Sequence, residues 1–344
     1  LKQGKFILSA DPLATDAAAG FEDAADAGPE AEFRPFVIAP GQHGERLDRA
    51  LAVLVPEFSR SYLQQLIDAG AVTIGGAAAR RSSQRVKAGD EGVVELRPTP
   101  QSQAFRPERM ALSVVFEDEH LLVIDKPAGL VVHPAPGNWS GTLLNGLLAR
   151  DAGAALLPRA GIVHRLDKDT SGLMVVARTR ATMDALVGLI GAREVTRQYV
   201  ALAHRPWSGP GIRHVEAPIG RDPRNRLRMA VVEGGKPAAT TFERLQACDR
   251  GCWVRATLHT GRTHQIRVHM AHIGHPLVAD EVYGGAPAAG LQRQALHAFR
   301  LAFRHPATGA ALEFEAPLPA DLAAALALWG LRYNGREWLT SHAP

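Results

Sequence analysis

The stretch Ile162-Val163-His164-Arg165-Leu166-Asp167-Lys168-Asp169-Thr170-Ser171-Gly172-Leu173-Met174-Val175-Val176 sets a dense polar run between two β-rich apolar runs. That pattern predicts a loop held between two buried strands, and loops on a rigid scaffold are frequent carriers of function. Asp167 stands where the first strand is expected to end. Its neighbours offer a cation, hydroxyls and backbone donors, the surroundings that keep a carboxylate charged and ready to act as nucleophile or base. An Asx turn with a surface salt bridge is the plainer reading of the same residues. Working outward, further strands are expected at residues 112–116, 121–124, 198–202, 239–245, 253–258, 298–303 and 312–314. Helices are expected at 142–148 and on the face shared by Met183, Leu186, Val187 and Ile190. Many strands with few intervening helices predict an α+β fold around a mixed, mainly antiparallel sheet.

A second polar run reads Thr260-Gly261-Arg262-Thr263-His264-Gln265-Ile266-Arg267-Val268-His269-Met270. Ile266, Met270 and Ile273 fall on one helical face, which leaves Arg262, His264 and Arg267 near the helix start, where they could meet an anion. His264, His269, His272 and His275 invite a metal reading, but a zinc site needs closer pairing on one face and a carboxylate that accepts from a ligating imidazole and orients it. No G-x-S-x-G elbow occurs, and Gly234-Gly235 and Gly284-Gly285 match no phosphate loop. No metal and no cofactor are expected.

Toward the N-terminus, Leu47, Ala50, Leu51 and Leu54 recur at helical spacing, and Leu63, Leu66 and Ile67 repeat it after Pro56. The second helix has a capping-box match in Ser61 and Gln64 and ends before Gly70. Residues 71–74 read as a strand turning at Gly75-Gly76, and 93–96 as another. Arg80, Arg81, Arg85 and Lys87 form a basic cluster in a span, residues 36–96, that holds seven basic and seven acidic side chains. Residues 1–35 have the composition of a disordered acidic tail, and 97–110, with Pro98, Pro100 and Pro107, read as a linker.

The chain has 344 residues, room for about two domains. Its net charge of +4 hides an asymmetry, because the first 40 residues carry three basic and seven acidic side chains. Of 39 basic residues 33 are arginine, whose planar fork suits phosphate and base edges. A GC-rich genome, whose codons favour Arg and Ala, accounts for the same bias. No apolar run approaches the ~18 residues of a membrane span, and Cys248 and Cys252 are too few for a disulfide scaffold, so a cytoplasmic protein is expected.

The runs 164–173, Arg197-Gln198-Tyr199 and 261–269, together with Asp125-Lys126-Pro127-Ala128-Gly129-Leu130-Val131-Val132-His133-Pro134, resemble the RluA/RluD family of pseudouridine synthases. Residues 36–96, with Arg46-Leu47-Asp48 opening the first helix, resemble the S4 RNA-binding domain. The likeness covers about residues 36–330, and Pro134-Ala135-Pro136-Gly137-Asn138 brings it nearest the D-type branch acting on the large ribosomal subunit. It implies an S4-like domain over 36–96, a catalytic domain over 111–330 and a C-terminal tail over 331–344. It further implies isomerisation of specific uridines in 23S rRNA, among them loop uridines of the helix-69 stem-loop, with the RNA or its precursor particle as partner. Another rRNA or tRNA site and a non-catalytic RNA-binding protein are the alternatives. By resemblance, Asp167 is the essential carboxylate and Arg267 the arginine that pairs with it. Tyr199 stacks on the flipped base, Arg165 helps to extrude it, and Arg262, Arg80, Arg81, Arg85 and Lys87 contact RNA. Lys126 and His164 belong to the motifs without a clear chemical role and are expected to be structural.

Overall fold

A computed structural model of the chain describes residues 32–97, 104–135, 137–225 and 228–333. The expected tail up to residue 31, the middle of the expected linker and residues 334–344 lie outside them. The chain divides into two compact units, Leu1–Thr99 and Pro100–Pro344.

In the first unit α1 (Leu47–Leu54) and α2 (Arg60–Asp68) accompany a four-stranded antiparallel sheet of β1 (Glu32–Val37), β2 (Val72–Ile74), β3 (Ala77–Ala78) and β4 (Glu91–Leu96), in the order β1-β4-β2-β3. Leu47, Ala50 and Leu51 on α1 and Leu63, Leu66 and Ile67 on α2 repeat the i, i+3, i+4 spacing and are all buried in one core with Val72 and Val94. Two expectations change here. The N-cap of α2 is Ser59, whose side chain accepts from Tyr62 N; Ser61 lies inside the helix and Gln64 turns instead to Asp48. Residues 32–35, expected in the tail, belong to β1, which pairs with β4 from Glu32↔Leu96 to Val37↔Glu91. Backbone pairing builds this strand, since Phe36 is its one buried side chain, and apolar periodicity therefore misses it.

The second unit is built on a nine-stranded sheet. Its strands are β5 (Ser113–Glu117), β6 (Leu121–Lys126), β7 (Ser171–Ala177), β8 (Thr196–His204), β9 (Ile212–Glu216), β12 (Ala239–Cys248), β13 (Gly251–Leu258), β14 (Leu296–Arg304) and β15 (Ala311–Glu315). A separate hairpin pairs β10 (Ile219–Arg221) with β11 (Met229–Val231). The order is β5-β6-β7-β14-β8-β13-β12-β9, with β15 on β14, and only β7 and β14 run parallel. The helices are α3 (Leu143–Arg150), α4 (Arg180–Ala192), α5 (Gln265–His272) and α6 (Ala320–Leu328). Cores form around the sheet, one with Tyr199 and Ile266, another with Trp253 and α6.

Ile162-Val163, expected as a strand, makes only the isolated bridge Ile162↔Val176. β7 pairs along its length with β6 but with β14 only at Ser171 and Gly172, so an edge is free; the limit is the backbone of Arg159 and Ala160, which enter the segment with positive φ. From Ala104 onward the expected linker is tied down: the Asn145 amide donates to the carbonyls of Ala104 and Arg106. Leu331, expected in the tail, is buried beside α6. The strands β9, β10 and β11 and the Ala-rich α6 have no clear sequence signal, the strands being short and α6 lacking a polar face. Among the described residues no helix is long and apolar enough to cross a membrane.

Candidate active site

The polar loop enters β7 at Gly172, whose φ of +114° and lack of a side chain let the chain lie against β14; a Cβ there would sit 2.2 Å from the Ala298 carbonyl oxygen. Before that point the loop is fastened from several sides. The fully buried Lys126 at the end of β6 donates to the carbonyls of Pro127, Leu130 and Lys168 at 2.7–2.9 Å. Burial draws its pKa down to about 8, so it remains an ammonium at neutral pH with its three protons used. Arg293 donates to Asp169 O, and the Gln294 amide to Thr170 Oγ1. His164 Nε2 accepts from Val175 N, and burial pushes this imidazole down to about 3, so it stays neutral. Lys126 and His164 thus hold the loop in place.

This frame brings together residues far apart in sequence. Asp167 Oδ2 accepts from Arg267 Nη1 at 3.1 Å, across 100 positions. Arg267, on α5, spends its other two nitrogens on Asp280, as Nε and Nη2 each donate at 2.7 Å to one carboxylate oxygen. Its guanidinium lies 5.0 Å over the Tyr283 ring. Burial opposes the Arg267 charge, but the hydrogen bonds and charges of Asp280 and Asp167 outweigh it and raise its pKa above arginine's ordinary value. His264 precedes α5 with φ +56°, bonds through Nδ1 with the Tyr283 hydroxyl and places Nε2 3.8 Å from Asp167 Oδ1. Burial lowers its pKa, leaving a neutral ring at neutral pH. Asp280 and Tyr283 were not singled out from the sequence. Nothing local marks them, because they reach the site through a 3-10 turn, Glu281–Tyr283, after α5 has ended.

Tyr199 on β8 is 5% exposed and shares a cavity of about 670 Å³ with Asp167 and Arg267. Burial pushes its phenol up to about 12, a rise that the Arg197 charge opposes and the Asp167 charge assists. Arg165 is exposed at the same cavity and bonds to none of the described residues; Arg262, also exposed there, donates from Nε to Pro237 O. Six arginines line the cavity, and Asp167 is its one carboxylate among the described residues. Such a cavity suits a polyanion. In the first unit Arg80, Arg81, Arg85 and Lys87 are all exposed, with Arg85 donating from Nη1 to Gly44 O.

Two of the other histidines have partners of their own: His269 bonds with Thr240 Oγ1 and Ala217 O, and His275 stacks on Trp207. Among the described residues no three His, Cys, Asp or Glu side chains are grouped to hold a metal ion.

A family profile described as RNA pseudouridylate synthase matches residues 120–272, and one described as the S4 domain matches residues 45–91. The ribosomal large subunit pseudouridine synthase D of Neisseria meningitidis serogroup B is 48% identical over 293 residues, 81% of this chain and 77% of that protein. The chain belongs to the RNA pseudouridylate synthase family. The enzyme of the same name from Pseudomonas aeruginosa is 47% identical over 291 residues, 81% of this synthase and 90% of its relative. Among solved structures, human RNA pseudouridylate synthase domain containing 1 aligns with a TM-score of 0.50 at 29% identity, covering 62% of this chain and 87% of that one. Human RNA pseudouridylate synthase domain containing 4 has the same fold, with a TM-score of 0.51 at 24% identity. This protein is therefore an RNA pseudouridine synthase with an N-terminal S4 domain, α+β in class.

Proposed function

We propose that this synthase isomerises uridines of large-subunit (23S) ribosomal RNA in the cytoplasm, several of them in the helix-69 loop, with Asp167 as the reacting carboxylate. The observation that carries the reading is Asp167 itself, among the described residues the one carboxylate in an arginine-lined cavity, paired with an arginine whose other nitrogens are already committed. In the reaction the N1–C1′ bond breaks, the uracil turns, C5 bonds to C1′, and the proton lost from C5 is balanced by one gained at N1. Attack of the carboxylate on the nucleoside and removal of a ribose proton by it both begin from Asp167. The Tyr199 ring is the platform for the flipped base. Its phenol, pushed up to about 12, stays protonated at neutral pH, so it relays the C5 proton rather than storing it. Arg165 and Arg262 guide the RNA in, since a stacked base is unreachable until it leaves its stem. The rRNA assignment rests on relatives named for the large ribosomal subunit and on an S4 domain suited to a folded stem-loop, the RNA alone or within a precursor particle.

Replacing the chromosomal gene by an Asp167→Asn allele and mapping pseudouridine across rRNA and tRNA tests both parts. The amide keeps the shape and loses the charge, so the helix-69 pseudouridines should disappear while protein level is unchanged. Loss of a tRNA pseudouridine instead would overturn the substrate. A complete set of pseudouridines would overturn the role of Asp167.

A further inference from the structure

Arg197 stands two residues before Tyr199 on β8, lines the same cavity and is 6% exposed. Its Nε is buried without a partner, and no carboxylate or carbonyl among the described residues accepts from its guanidinium. Alternate residues of a strand share a face, so Arg197 and Tyr199 point the same way about 7 Å apart. That is roughly the reach from a stacked base, across its ribose, to the neighbouring phosphate. Gly261 leaves the guanidinium its place, because a Cβ there would come within 3.0 Å of Arg197 Nη1.

A guanidinium cannot shed its proton, and burying it without a counter-charge is costly. The one carboxylate that lines the cavity among the described residues is already paired with Arg267. The missing negative charge must arrive with the substrate. A uracil carbonyl would leave the buried cation uncompensated, whereas the two non-bridging oxygens of a phosphodiester match the arginine fork in both charge and geometry. We propose that Arg197 binds the phosphodiester flanking the uridine whose base lies on Tyr199, gripping the flipped nucleotide from inside the cavity. The proposal rests on Tyr199 being the base platform. A nucleotide still in its stem does not enter the cavity, so the contact favours the flipped state specifically.

Single-turnover release of tritium from C5-labelled stem-loop RNA, with the full-length enzyme, tests this. Each phosphate beside the target uridine is replaced in turn by an uncharged methylphosphonate. The wild type should lose about 10- to 100-fold at one of the two positions. Arg197→Met should lose as much on ordinary RNA and nothing more on that methylphosphonate. Should Arg197→Met not fold, Arg197→Lys, which keeps the charge without the fork, should show a smaller loss and remain sensitive to the same phosphate. Wild-type insensitivity at both positions overturns the proposal, as do losses from substitution and methylphosphonate that simply multiply. Asp167→Asn separates the two readings: if it releases tritium, the site assignment fails, whereas an inert Asp167→Asn beside a phosphate-insensitive wild type refutes the role of Arg197 alone.

Discussion

At the scale of single residues, the site is a chain of orientation that ends on Asp167. Arg267 has five N–H donors in a rigid fork, and Asp280 takes the Nε and Nη2 edge. Only Nη1 is left to address Asp167, and the Tyr283 ring closes one face of the fork. Asp280 is therefore a positioning residue. Asp280→Asn keeps one good acceptor and loses the second, so the fork can pivot and the Asp167 carboxylate follows it. We expect kcat to fall about 10- to 100-fold, roughly 1.4–2.7 kcal/mol, with KM for RNA nearly unchanged and Asp280→Glu recovering part of the loss. An equal rise in KM would make Asp280 a binding residue instead. Asp167, Tyr199 and Arg267 stand in separate sequence motifs, and the fold gathers all three at one cavity. Asp280 and Tyr283 were not legible in the sequence, because what distinguishes them is a contact made only after the chain folds back past α5.

At the scale of elements, the S4 domain joins its two helices through one carboxylate. Asp48, fully buried at the start of α1, accepts from Arg46 at 3.1 and 3.0 Å, Arg60 at 2.9 Å and the Gln64 amide at 2.6 Å. The Arg46 hydrogen bonds, helped by Gln64 and Arg60 and opposed by burial, hold its carboxyl below the ordinary carboxylate range. A depressed folded pKa means that the stability Asp48 contributes is complete above the unfolded value of about 3.9 and is lost as pH falls from there toward the folded value. Asp48→Asn should destabilise the domain by about 2–3 kcal/mol at neutral pH, since both arginines can turn to water while their charge-assisted bonds are lost. Hydrogen exchange of the α1 and α2 amides reads this out, and the gap between variant and wild type should narrow below about pH 4. A gap independent of pH would assign the effect to shape rather than charge. The helices themselves were legible, since their i, i+3, i+4 pattern is the physical cause of their burial. Ile162-Val163 was not, because β-rich composition says nothing about the backbone leading in: Arg159 and Ala160 have positive φ, and the segment makes a single bridge on the β7 edge that β14 leaves open beyond Gly172.

At the scale of the whole molecule, the pseudouridylate synthase profile falls in the second unit, and the question is what the first contributes to holding RNA. Residues 36–96 carry seven basic and seven acidic side chains, a balance that argues against an RNA face if charges are merely counted. The pairing of those charges alters the balance. Arg46 and Arg60 are bound to Asp48, Arg49 lies 3.7 Å from Glu45, and Arg85 bonds Gly44 O. What is left is Arg80, Arg81 and Lys87, exposed side chains without partners among the described residues, on the segment between β3 and β4. If these three take phosphates, each releases counterions on binding. Replacing all three by Gln in the full chain should weaken RNA binding and reduce the slope of log K against log salt by about 0.7–0.9 for each phosphate that is no longer neutralised. Turnover at saturating RNA should stay unchanged, and so should thermal stability, because no partner is orphaned. A preserved slope would show that phosphates are gripped elsewhere, and the arginine-lined cavity of the second unit would then be the main electrostatic anchor as well as the proposed place of reaction.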